Sequence, residues 1–431
     1  MGVSMTLVMI ITFLILILIS VPIGWALGIS AIVAFLVTGH HINIAFIACR
    51  LYNASNSFIL MSLPFFILAG NIMSRGGLSR RLIAFCKTLL GPVNGGLGIV
   101  SIWAAFFFSA ISGSNAATTA AVGGMMIPEL EKQGYPRELS AATVAAAGTT
   151  GMVIPPSSAM VVYAAAAGVS LPALFMGGII PGIMMSVSMM IVIFVISKKM
   201  RIRGVARGDR KTIIKSLLDA IGAAIMPIII LGGIYTGIFT ATESAVIACI
   251  YAIIMTVFVY REITFKDLPK IFWESAITSA VGMVVITCAS MFAYVLTIEH
   301  IPQTLCDILL MVTDRPLPTL LMINVILLLA GCVMTPNSAI IILVPILVPL
   351  CTQIGINPVA LGIIMIVNLS IGAITPPVGG DVFVSASISK IPVERIYVKI
   401  VPFFLILLVD LVVLTACNNI CLFLPNMLGL L

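Results

Sequence analysis

The chain has 431 residues, of which 61% are hydrophobic and only 9% are charged, and its mean hydropathy is +1.25. Soluble domains carry about 25% charged residues, so this composition excludes a soluble protein and indicates an all-α polytopic membrane protein. The formal net charge of +7 reflects loop lysines and arginines, which set membrane orientation, and does not indicate nucleic-acid binding. The nine cysteines form no Cys-x-x-Cys pair, so we interpret them as small apolar residues of membrane helices.

The apolar segments predict about ten to twelve membrane spans, because a span needs roughly 20 apolar residues. We interpret residues 1–19 as a retained first helix and not as a removed signal peptide. A first re-entrant hairpin is expected at about 105–130, and a broken helix at about 138–165. The other elements expected in this half are spans at 5–22 and 25–39, a broken or tilted span at 61–73, an amphipathic interfacial helix at 79–90, and a long span at 172–197.

A basic loop at 198–215 divides the chain into an N-terminal half, 1–197, and a C-terminal half, 216–431. Its charges predict a cytoplasmic position, because lysines and arginines accumulate on that side. Against Asp209 alone it carries Lys198, Lys199, Arg201, Arg203, Arg207, Arg210, Lys211 and Lys215. The second half predicts spans near 220–240, 243–260 and 276–297, a second hairpin at about 320–350, a broken helix at about 357–390, and a last helix from about 400.

The two halves repeat one unusual pattern, in which a Ser/Thr/Asn cluster is followed by membrane-like sequence and then by a Pro-Pro pair. Asn115 precedes Pro155 by 40 residues, and Asn337 precedes Pro376 by 39. The first prolines of the two pairs are 376 − 155 = 221 residues apart, which is close to half the chain. Helix breakers and unpaired polar groups are tolerated in a membrane where they line a cavity. The pattern therefore indicates a secondary transporter built from two repeats, with its site at their interface. Spacing alone leaves open whether the repeats are inverted.

The polar clusters have the chemistry of an ion and carboxylate site. Hydroxyl, amide and freed backbone oxygens suit Na⁺, and helix N-termini suit a carboxylate. In the first cluster, which is expected at the tip of the first hairpin, the candidate ligands are Ser112, Ser114, Asn115, Thr118 and Thr119. Carbonyls next to the prolines, in 148–151 and 373–375, are expected to lack helical partners and to face an ion. The alternative is interhelical packing by small residues, which is common in membranes.

Two acids within apolar sequence, Glu243 and Asp381, are candidate buried groups that could carry a proton or fix a hairpin. Glu243 has a second interpretation as a helix N-terminal cap. An enzyme is not expected, because 378–381 lacks the first glycine of the membrane aspartyl-protease motif and no zinc, nucleotide or serine-hydrolase motif is present. A channel stays possible, although two broken-helix sites fit alternating access better. His40, His41 and His300 form no metal-binding pair.

At these residues the chain resembles the large membrane (permease) subunit of tripartite ATP-independent periplasmic (TRAP) transporters, over nearly its whole length. The strings that carry the resemblance are Leu63-Pro-Phe-Phe-Ile-Leu-Ala-Gly70, Ser112-Gly-Ser114, Ile154-Pro-Pro-Ser157, Gly237-Ile-Phe-Thr-Ala-Thr-Glu-Ser244, Val344-Pro-Ile346 and Asn368-Leu-Ser-Ile-Gly-Ala-Ile-Thr-Pro-Pro-Val-Gly379. The resemblance implies two inverted repeats, a scaffold, and an elevator-type transport domain made of both hairpins and both broken helices.

The resemblance also implies Na⁺-coupled import of a small organic acid across the bacterial inner membrane, in a multi-pass protein surrounded by lipid. Its implied partners are a small membrane subunit and a periplasmic substrate-binding protein, with Na⁺ as the coupling ion and no permanently bound cofactor. A stand-alone Na⁺/dicarboxylate-type carrier of the same superfamily is the alternative. C4-dicarboxylates, sialic acids and sugar or keto acids all stay open as substrates.

Carried over residue by residue, the resemblance places substrate and ions at the tips of the two hairpins and at the interruptions of the two broken helices. We call these the two tips and the two breaks. The substrate candidates are Ser112, Ser114, Asn115, Thr118, Asn337, Ser338 and Pro377. The Na⁺ candidates are Ser112, Asn115, Gly148, Thr150, Gly151, Thr335, Asn337, Thr375 and Gly379. The four prolines of the breaks are otherwise architectural. Many relatives carry an acid where this chain has Thr335, so the second tip is enriched in neutral oxygens.

Overall fold

The computed structural model of the chain describes residues 4–38, 44–202, 204, 210–301, 303–304 and 315–431, without the side chains of 44 and 210. These residues form helices and loops, with no strand among them. His40 and His41 lie outside the described residues, as do Arg203, Arg207 and Asp209 of the basic loop.

The first half contains ten α-helices within the described residues. They are α1 (Met5–Leu18), α2 (Ile23–Val37), α3 (Ile44–Ser55), α4 (Phe58–Arg75), α5 (Leu78–Leu90), α6 (Gly96–Ser112), α7 (Asn115–Lys132), α8 (Arg137–Gly148), α9 (Ser158–Ala167) and α10 (Leu171–Lys199). The helix α4 is continuous through Pro64, so of the two alternatives expected for 61–73, a broken or a tilted span, the broken span was wrong. Two hydroxyls add hydrogen bonds in the turn before the proline, since Ser62 Oγ donates to Ile59 O (2.6 Å) and Thr242 Oγ1 to Phe58 O (3.0 Å).

The described part of the second half contains nine further α-helices. They are α11 (Arg210–Tyr235), α12 (Ala241–Ile253), α13 (Leu268–Ile298), α14 (Pro316–Val333), α15 (Pro336–Gln353), α16 (Pro358–Gly372), α17 (Gly380–Ser389), α18 (Val393–Ala416) and α19 (Asn419–Met427). The last long helix begins at Val393 and not at about 400, because Pro392 is a favourable residue at a helix start.

Eight of the described helices are long and apolar enough to cross a membrane, by length and composition. They are α4, α10, α11, α12 with its continuation to Val259, α13, α14, α15 and α18. The helices α1 and α2 are apolar but have only 14 and 15 residues. The count of about ten to twelve spans therefore stays a prediction.

The helices pack in two groups. In the first group, α2 packs on α1 and α13, and α4 packs on α12 and α13. In the second group, α7 and α17 pack on α8, α14 packs on α16, and α10 packs on α6, α18 and α19. The groups meet where α4 contacts α6 and α9 and where α13 contacts α15. We call the first group the outer helices and the second group the hairpin group.

The helix α5, which we expected at 79–90 as an amphipathic interfacial helix, connects the two groups. Arg80 and Arg81 form ion pairs of 2.7 and 2.6 Å with Glu262, in the loop that follows α12. Lys87 forms an ion pair of 2.6 Å with Glu129 at the far end of α7. Lys87 and Lys132 together hold the pKa of Glu129 below its usual value, so this carboxylate stays charged at neutral pH.

The helix pairs α6–α7 and α14–α15 approach one another from opposite ends of the hairpin group. The base of the first pair lies beside the end of α10, where the Tyr135 hydroxyl is 2.9 Å from Ser197 Oγ. The base of the second pair lies at the other end, where Tyr163 of α9 donates to the carbonyl of Pro358 at 2.7 Å. The tips therefore meet in the middle of the protein.

Buried polar contacts join the two halves within the hairpin group. Ser385 Oγ of α17 donates to the carbonyl of Ala141 in α8 at 2.8 Å, across 244 positions of sequence. In the second half, Asn324 Nδ2 donates to Thr415 Oγ1 (2.7 Å), and Asn368 Nδ2 donates to the carbonyl of Asn324 (2.9 Å). Such bonds replace water as the partner of polar groups in an apolar environment.

Two glycines allow α14 and α16 to approach at backbone distance. A Cβ at Gly372 would lie 2.6 Å from Gly331 Cα, and a Cβ at Gly331 would lie 3.1 Å from Gly372 Cα. Because both neighbours are backbone atoms, neither can rotate away. The pair therefore fixes the broken helix of the second half against the second tip.

We expect Gly372→Ala to destabilise the protein by roughly 1–3 kcal/mol, because the added methyl group forces two packed helices apart. The measurement is the thermal unfolding midpoint of the purified protein in detergent. Gly124→Ala is the matched control, since Gly124 is also within a helix and a Cβ there has no neighbour within 4 Å. Equal midpoints for the two variants would contradict the close approach.

Candidate functional site

The first tip is a two-residue turn between α6 and α7. The helix α6 ends because Gly113 has a φ of +59°, which L side chains rarely adopt, and Ser114 is extended. The carbonyl of Gly113 accepts hydrogen bonds from both the backbone N (3.2 Å) and Oγ (2.9 Å) of Ser158. The tip is therefore attached to the first turn of α9, immediately after the Pro-Pro pair.

The first break also packs directly on this tip. After α8 ends at Gly148, a single 3₁₀ turn covers Thr149–Met152, and Asn115 Oδ1 accepts a hydrogen bond from Met152 N at 2.8 Å. A Cβ at Gly151 would lie 2.5 Å from the carbonyl oxygen of Ser114, and one at Gly148 would overlap Thr119 Oγ1. The two glycines flanking the threonines are thus required for the break to approach the tip.

The second tip is built differently. Thr335 is the N-cap residue of α15, and its hydroxyl lies 2.8 Å from Ser338 Oγ. Asn337 Oδ1 is buried but has no hydrogen-bond partner among the described residues, in contrast to Asn115 Oδ1. The second break is attached through Val378 N, which donates to the carbonyl of Cys332 at 3.3 Å. The second tip is therefore tied to its break by α14 and not by its asparagine.

Conformation and packing fix the second break itself. Thr375 Oγ1 donates to the carbonyl of Ile371 at 2.8 Å, within the last turn before the Pro-Pro pair. Gly379, which caps α17, has a φ of +56°, and a Cβ there would lie 2.5 Å from the Tyr397 hydroxyl. Both Pro-Pro bonds, at 155–156 and at 376–377, are cis. A larger residue at Gly379 would be strained and would also collide with Tyr397.

A cavity of about 680 Å³ lies between the two tips and the outer helices. Ser112 and Ser114 of the first tip and Thr335, Asn337 and Ser338 of the second tip line it. The helices α4 and α13 close the opposite side with Asn71, Ser74 and Thr278 among apolar residues. None of the described lining residues is charged, so the cavity offers hydroxyl and amide groups to a ligand of small-molecule size.

The predicted site residues fall into two sets, those that line the cavity and those that do not. Ser112, Ser114, Thr335, Asn337 and Ser338, at the two tips, line the cavity, and their roles in binding substrate or Na⁺ stay predictions. The other predicted residues do not line it. Asn115 and Thr118 are buried behind the first tip, where the Thr118 hydroxyl is 2.7 Å from Ser112 Oγ. The others that do not line the cavity are Gly148, Thr150 and Gly151 in the first break and Thr375, Pro377 and Gly379 in the second.

Asp381, a predicted buried acid, is only 2% exposed and lies in the first turn of α17. Its side chain lies near that of Asn115, 266 residues earlier in the sequence. Neither Asn115 Nδ2 nor Asp381 Oδ2 has a hydrogen-bond partner among the described residues. Thr119 Oγ1 next to them also has no partner. Unsatisfied buried polar atoms at one place are the feature expected where an ion or a proton completes the site.

The prediction that Glu243 is a buried acid was wrong. Its side chain is exposed and forms a capping box, since Glu243 Oε2 accepts from Thr240 N (2.7 Å) and Glu243 N donates to Thr240 Oγ1 (3.3 Å). The physical reason is that the first turn of a helix has unpaired N–H groups, which a Thr-x-x-Glu sequence satisfies locally. The alternative interpretation of Glu243 as a cap is confirmed.

Sequence reasoning missed the contribution of α4 and α13 to the cavity. Asn71 and Ser74 follow an apolar run in α4, and Asn71 Nδ2 donates to Ser275 Oγ of α13 at 2.8 Å. An asparagine within an otherwise apolar helix was the available signal, because such residues usually face a partner or a cavity. Thr278 in α13 gives no comparable signal.

Within the described residues, no group of three or more His, Cys, Asp and Glu side chains could hold a metal ion. A cation at this site would therefore be coordinated mainly by hydroxyl, amide and backbone oxygens. Such ligands suit hard cations and not zinc or copper.

Residues 10–420 match the model of the family described as the DctM component of tripartite ATP-independent periplasmic transporters. The chain is 38% identical over 384 residues to a C4-dicarboxylate TRAP transporter large permease protein of Pseudomonas aeruginosa, covering 89% of this chain and 90% of that protein. It is 32% identical to a sialic acid TRAP transporter large permease protein of Vibrio cholerae, covering 94% and 95% of the two chains.

Another relative is the isethionate TRAP transporter permease protein DctMQ of Oleidesulfovibrio alaskensis, which is 40% identical over 94% of this chain but only 64% of its own length. Among solved structures, the YdaH transporter of Alcanivorax borkumensis superimposes with a TM-score of 0.66 over 96% of this chain and 98% of that one. Its sequence identity is 17%, so this likeness concerns the fold alone.

The two asparagines of the tips form a matched pair for measuring what each contributes to stability. We expect Asn115→Ala to destabilise the protein by about 1–3 kcal/mol, because it leaves the buried Met152 N–H without an acceptor. Asn337→Ala should cost less, since Asn337 Oδ1 has no partner to lose. The measurement is the thermal unfolding midpoint in detergent, and a lower midpoint for Asn337→Ala than for Asn115→Ala would contradict this difference.

Proposed function

Because the chain belongs to the family of the DctM component of tripartite ATP-independent periplasmic transporters, we propose that it imports a small organic acid across the bacterial inner membrane, coupled to Na⁺. The observation that carries the proposal is the 680 Å³ cavity lined by the tips of both helix pairs. Membership of the family makes the chain a transporter permease and not an enzyme.

The transport cycle we propose moves the hairpin group as a unit against the outer helices. Support comes from the way the hairpin group holds together through buried contacts between the two halves, such as Ser385 to Ala141. The cavity, in contrast, lies at the boundary between the groups. Motion along this boundary exposes the tips to one side of the membrane and then to the other, which is an elevator-type mechanism.

The two helix pairs and their breaks constitute inverted repeats in this proposal. Their bases lie at opposite ends of the hairpin group, at Tyr135–Ser197 and Tyr163–Pro358. Inverted repeats give a transporter two equivalent sets of contacts, so that it can open to either side at similar free energy.

Na⁺ is proposed to bind between each tip and its break. At the first site the packing of Gly148 and Gly151 brings backbone oxygens close to Asn115 and Thr119, and the buried Asp381 carboxyl group adds further oxygens. At the second site the oxygens of Thr335, Asn337 and Thr375 are neutral. An ion that orders a tip favours substrate binding there, and linkage makes the effect reciprocal.

The substrate class is proposed from the names of the relatives together with the cavity. Relatives are named for C4-dicarboxylates, sialic acid and isethionate, all of which carry an anionic group. The tips lack a lysine or arginine, so the anionic group would be bound by the hydroxyls of Ser112, Ser114 and Ser338, the Asn337 amide and backbone N–H groups at the start of α7 and α15.

The partners we propose are the two other components of a tripartite system, a small membrane subunit and a periplasmic substrate-binding protein. Support comes from the family description itself and from the DctMQ relative, which extends well beyond the region that this chain matches. In the same proposal, residues 198–215 lie in the cytoplasm, and lipid surrounds the exposed apolar faces of the outer helices.

The orientation of the chain can be tested at Ser170, where α10 begins, and at Lys211, in the basic loop at the start of α11. We expect a membrane-impermeant maleimide added outside right-side-out vesicles to label Ser170→Cys but not Lys211→Cys, because the basic loop faces the cytoplasm. Both residues are exposed, and the exposed Cys49 and Cys417 would first be replaced by serine. Labelling of Lys211→Cys from outside would reverse the proposed orientation.

Transport itself is tested in proteoliposomes that contain this chain with its small subunit and the binding protein. We expect uptake of an organic acid only with an inward Na⁺ gradient and only with the binding protein. Asn337→Ala should reduce this uptake strongly while leaving the protein folded, because Asn337 lines the cavity without stabilising the tip.

Each control in this experiment excludes one part of the proposal. Uptake without the binding protein would favour a stand-alone carrier of the same superfamily. Uptake that persists after the Na⁺ gradient is replaced by K⁺ would exclude Na⁺ coupling. No uptake of any acid would overturn the substrate class.

A further inference from the structure

A second cavity, of about 530 Å³, lies beside the first and contains a single charged residue among its described lining. Its walls come from α3, α4, α9, α13 and α15. Arg50 projects from α3, and the polar residues around it are Asn53, Ser57, Ser290 and Thr297. We call this space the Arg50 vestibule.

The vestibule and the tip cavity are stacked along the same three helices. On α4 the vestibule is lined by Leu60 and the tip cavity by residues from Leu63 onward. On α9 the order is reversed, because residues 158 and 162 line the tip cavity and residues 165 and 166 line the vestibule. The order on α13 is the same as on α9, with lining residues of the tip cavity at 278–285 and of the vestibule at 286–297. Ile341 of α15 borders both spaces, so the two cavities are adjacent.

The vestibule lies on the side of the protein away from the basic loop. Residues 165–166, at its wall, are followed within a few positions by the start of α10 at Leu171. The 29 residues of α10 span about 43 Å before Lys199, where the basic loop begins. In the proposed orientation the vestibule is therefore on the periplasmic side, from which the substrate arrives.

Arg50 has no acidic partner within 4.0 Å in the described part of the chain. Its guanidinium lies over the ring of Tyr294, 4.6 Å from the ring centre. A cation–π contact fixes the plane of the guanidinium and leaves its N–H groups available to an anion. The side chain is thus oriented without being neutralised.

We propose that the Arg50 vestibule is a second binding site for the anionic group of the transported acid, occupied before the acid reaches the tips. This inference rests on the proposed function and extends it. Arginine binds a carboxylate through two parallel hydrogen bonds, which the neutral tips cannot offer. The vestibule volume accommodates a small acid, and the tips then accept the substrate from a site that has already selected its charge.

The site is tested by protection of a reporter cysteine from a membrane-impermeant maleimide. The reporter is Asn53→Cys in a chain with Cys49→Ser and Cys417→Ser, studied in proteoliposomes with the small subunit. Succinate, isethionate and N-acetylneuraminate serve as probes, and succinamide is the uncharged control. We expect at least one acid to slow labelling about tenfold at saturation, and succinamide to have no effect.

Substitutions of Arg50 decide whether the charge is responsible. Arg50→Gln should raise the acid concentration that gives half-maximal protection by about tenfold or more, as expected for loss of a hydrogen bond to a charged group. Arg50→Lys should retain part of the effect. Arg261→Gln is the matched control, because it also removes one exposed arginine but lies outside both cavities. Ser290→Cys provides a second reporter if Asn53→Cys fails to fold.

The outcomes separate this inference from the proposed function. Protection that is equal in Arg50→Gln, or absent for every acid while the unaltered protein still takes up one of them, would overturn the vestibule site but not the transport function. Absence of acid uptake by the unaltered protein would instead overturn the function. Vesicles with and without phosphatidylglycerol distinguish lipid from solute, and Arg50-dependent protection by the anionic lipid alone would overturn the proposal.

Discussion

The structure depends on one constraint, which is that a polar group in hydrocarbon must find its partner within the protein. Each Pro-Pro pair and each tip interrupts a helix where no lipid or bulk water can replace the lost hydrogen bonds. The interruptions are tolerated because they bind one another. The Gly113 carbonyl accepts from Ser158, Asn115 accepts from Met152, and Cys332 accepts from Val378. The glycines at 148, 151, 331 and 372 permit the close approach that these bonds require.

The same constraint makes the two tips unequal. The first is tied to its break by its own asparagine and has the carboxyl group of Asp381 beside it. In the second tip, Asn337 lines the cavity and its buried Oδ1 has no hydrogen-bond partner among the described residues. Similar sequence patterns therefore give one tip that is closed on its break and one that is available to a ligand. This asymmetry suits a site in which the first tip is mainly structural and ionic while the second responds to the substrate.

Charge is distributed along the path in a corresponding way. The tip cavity offers neutral groups only, and the neighbouring vestibule offers one oriented arginine. A strongly positive site at the tips would hold an anion too tightly to release it. In the proposed function, the cation at the entrance instead attracts the anion before it meets the neutral tips. Helices α4, α9 and α13 line both spaces, so the proposed movement of the hairpin group would change both at once.

Local sequence was enough to locate the tips and the breaks, because glycine, proline and small polar residues occur there together within an apolar run. A proline outside such a cluster did not interrupt its helix, as Pro64 in α4 shows. It also located the capping sequence at Thr240–Glu243, although only the structure decided that Glu243 is exposed. The contact of Asn115 with Asp381 and the contribution of Asn71 to the cavity depend on which helices pack together. Periodicity and composition do not specify such long-range packing. The sequence by itself therefore determined where the helices are interrupted, and the tertiary structure decided which interruptions meet, because each lost hydrogen bond is replaced by a residue distant in the chain.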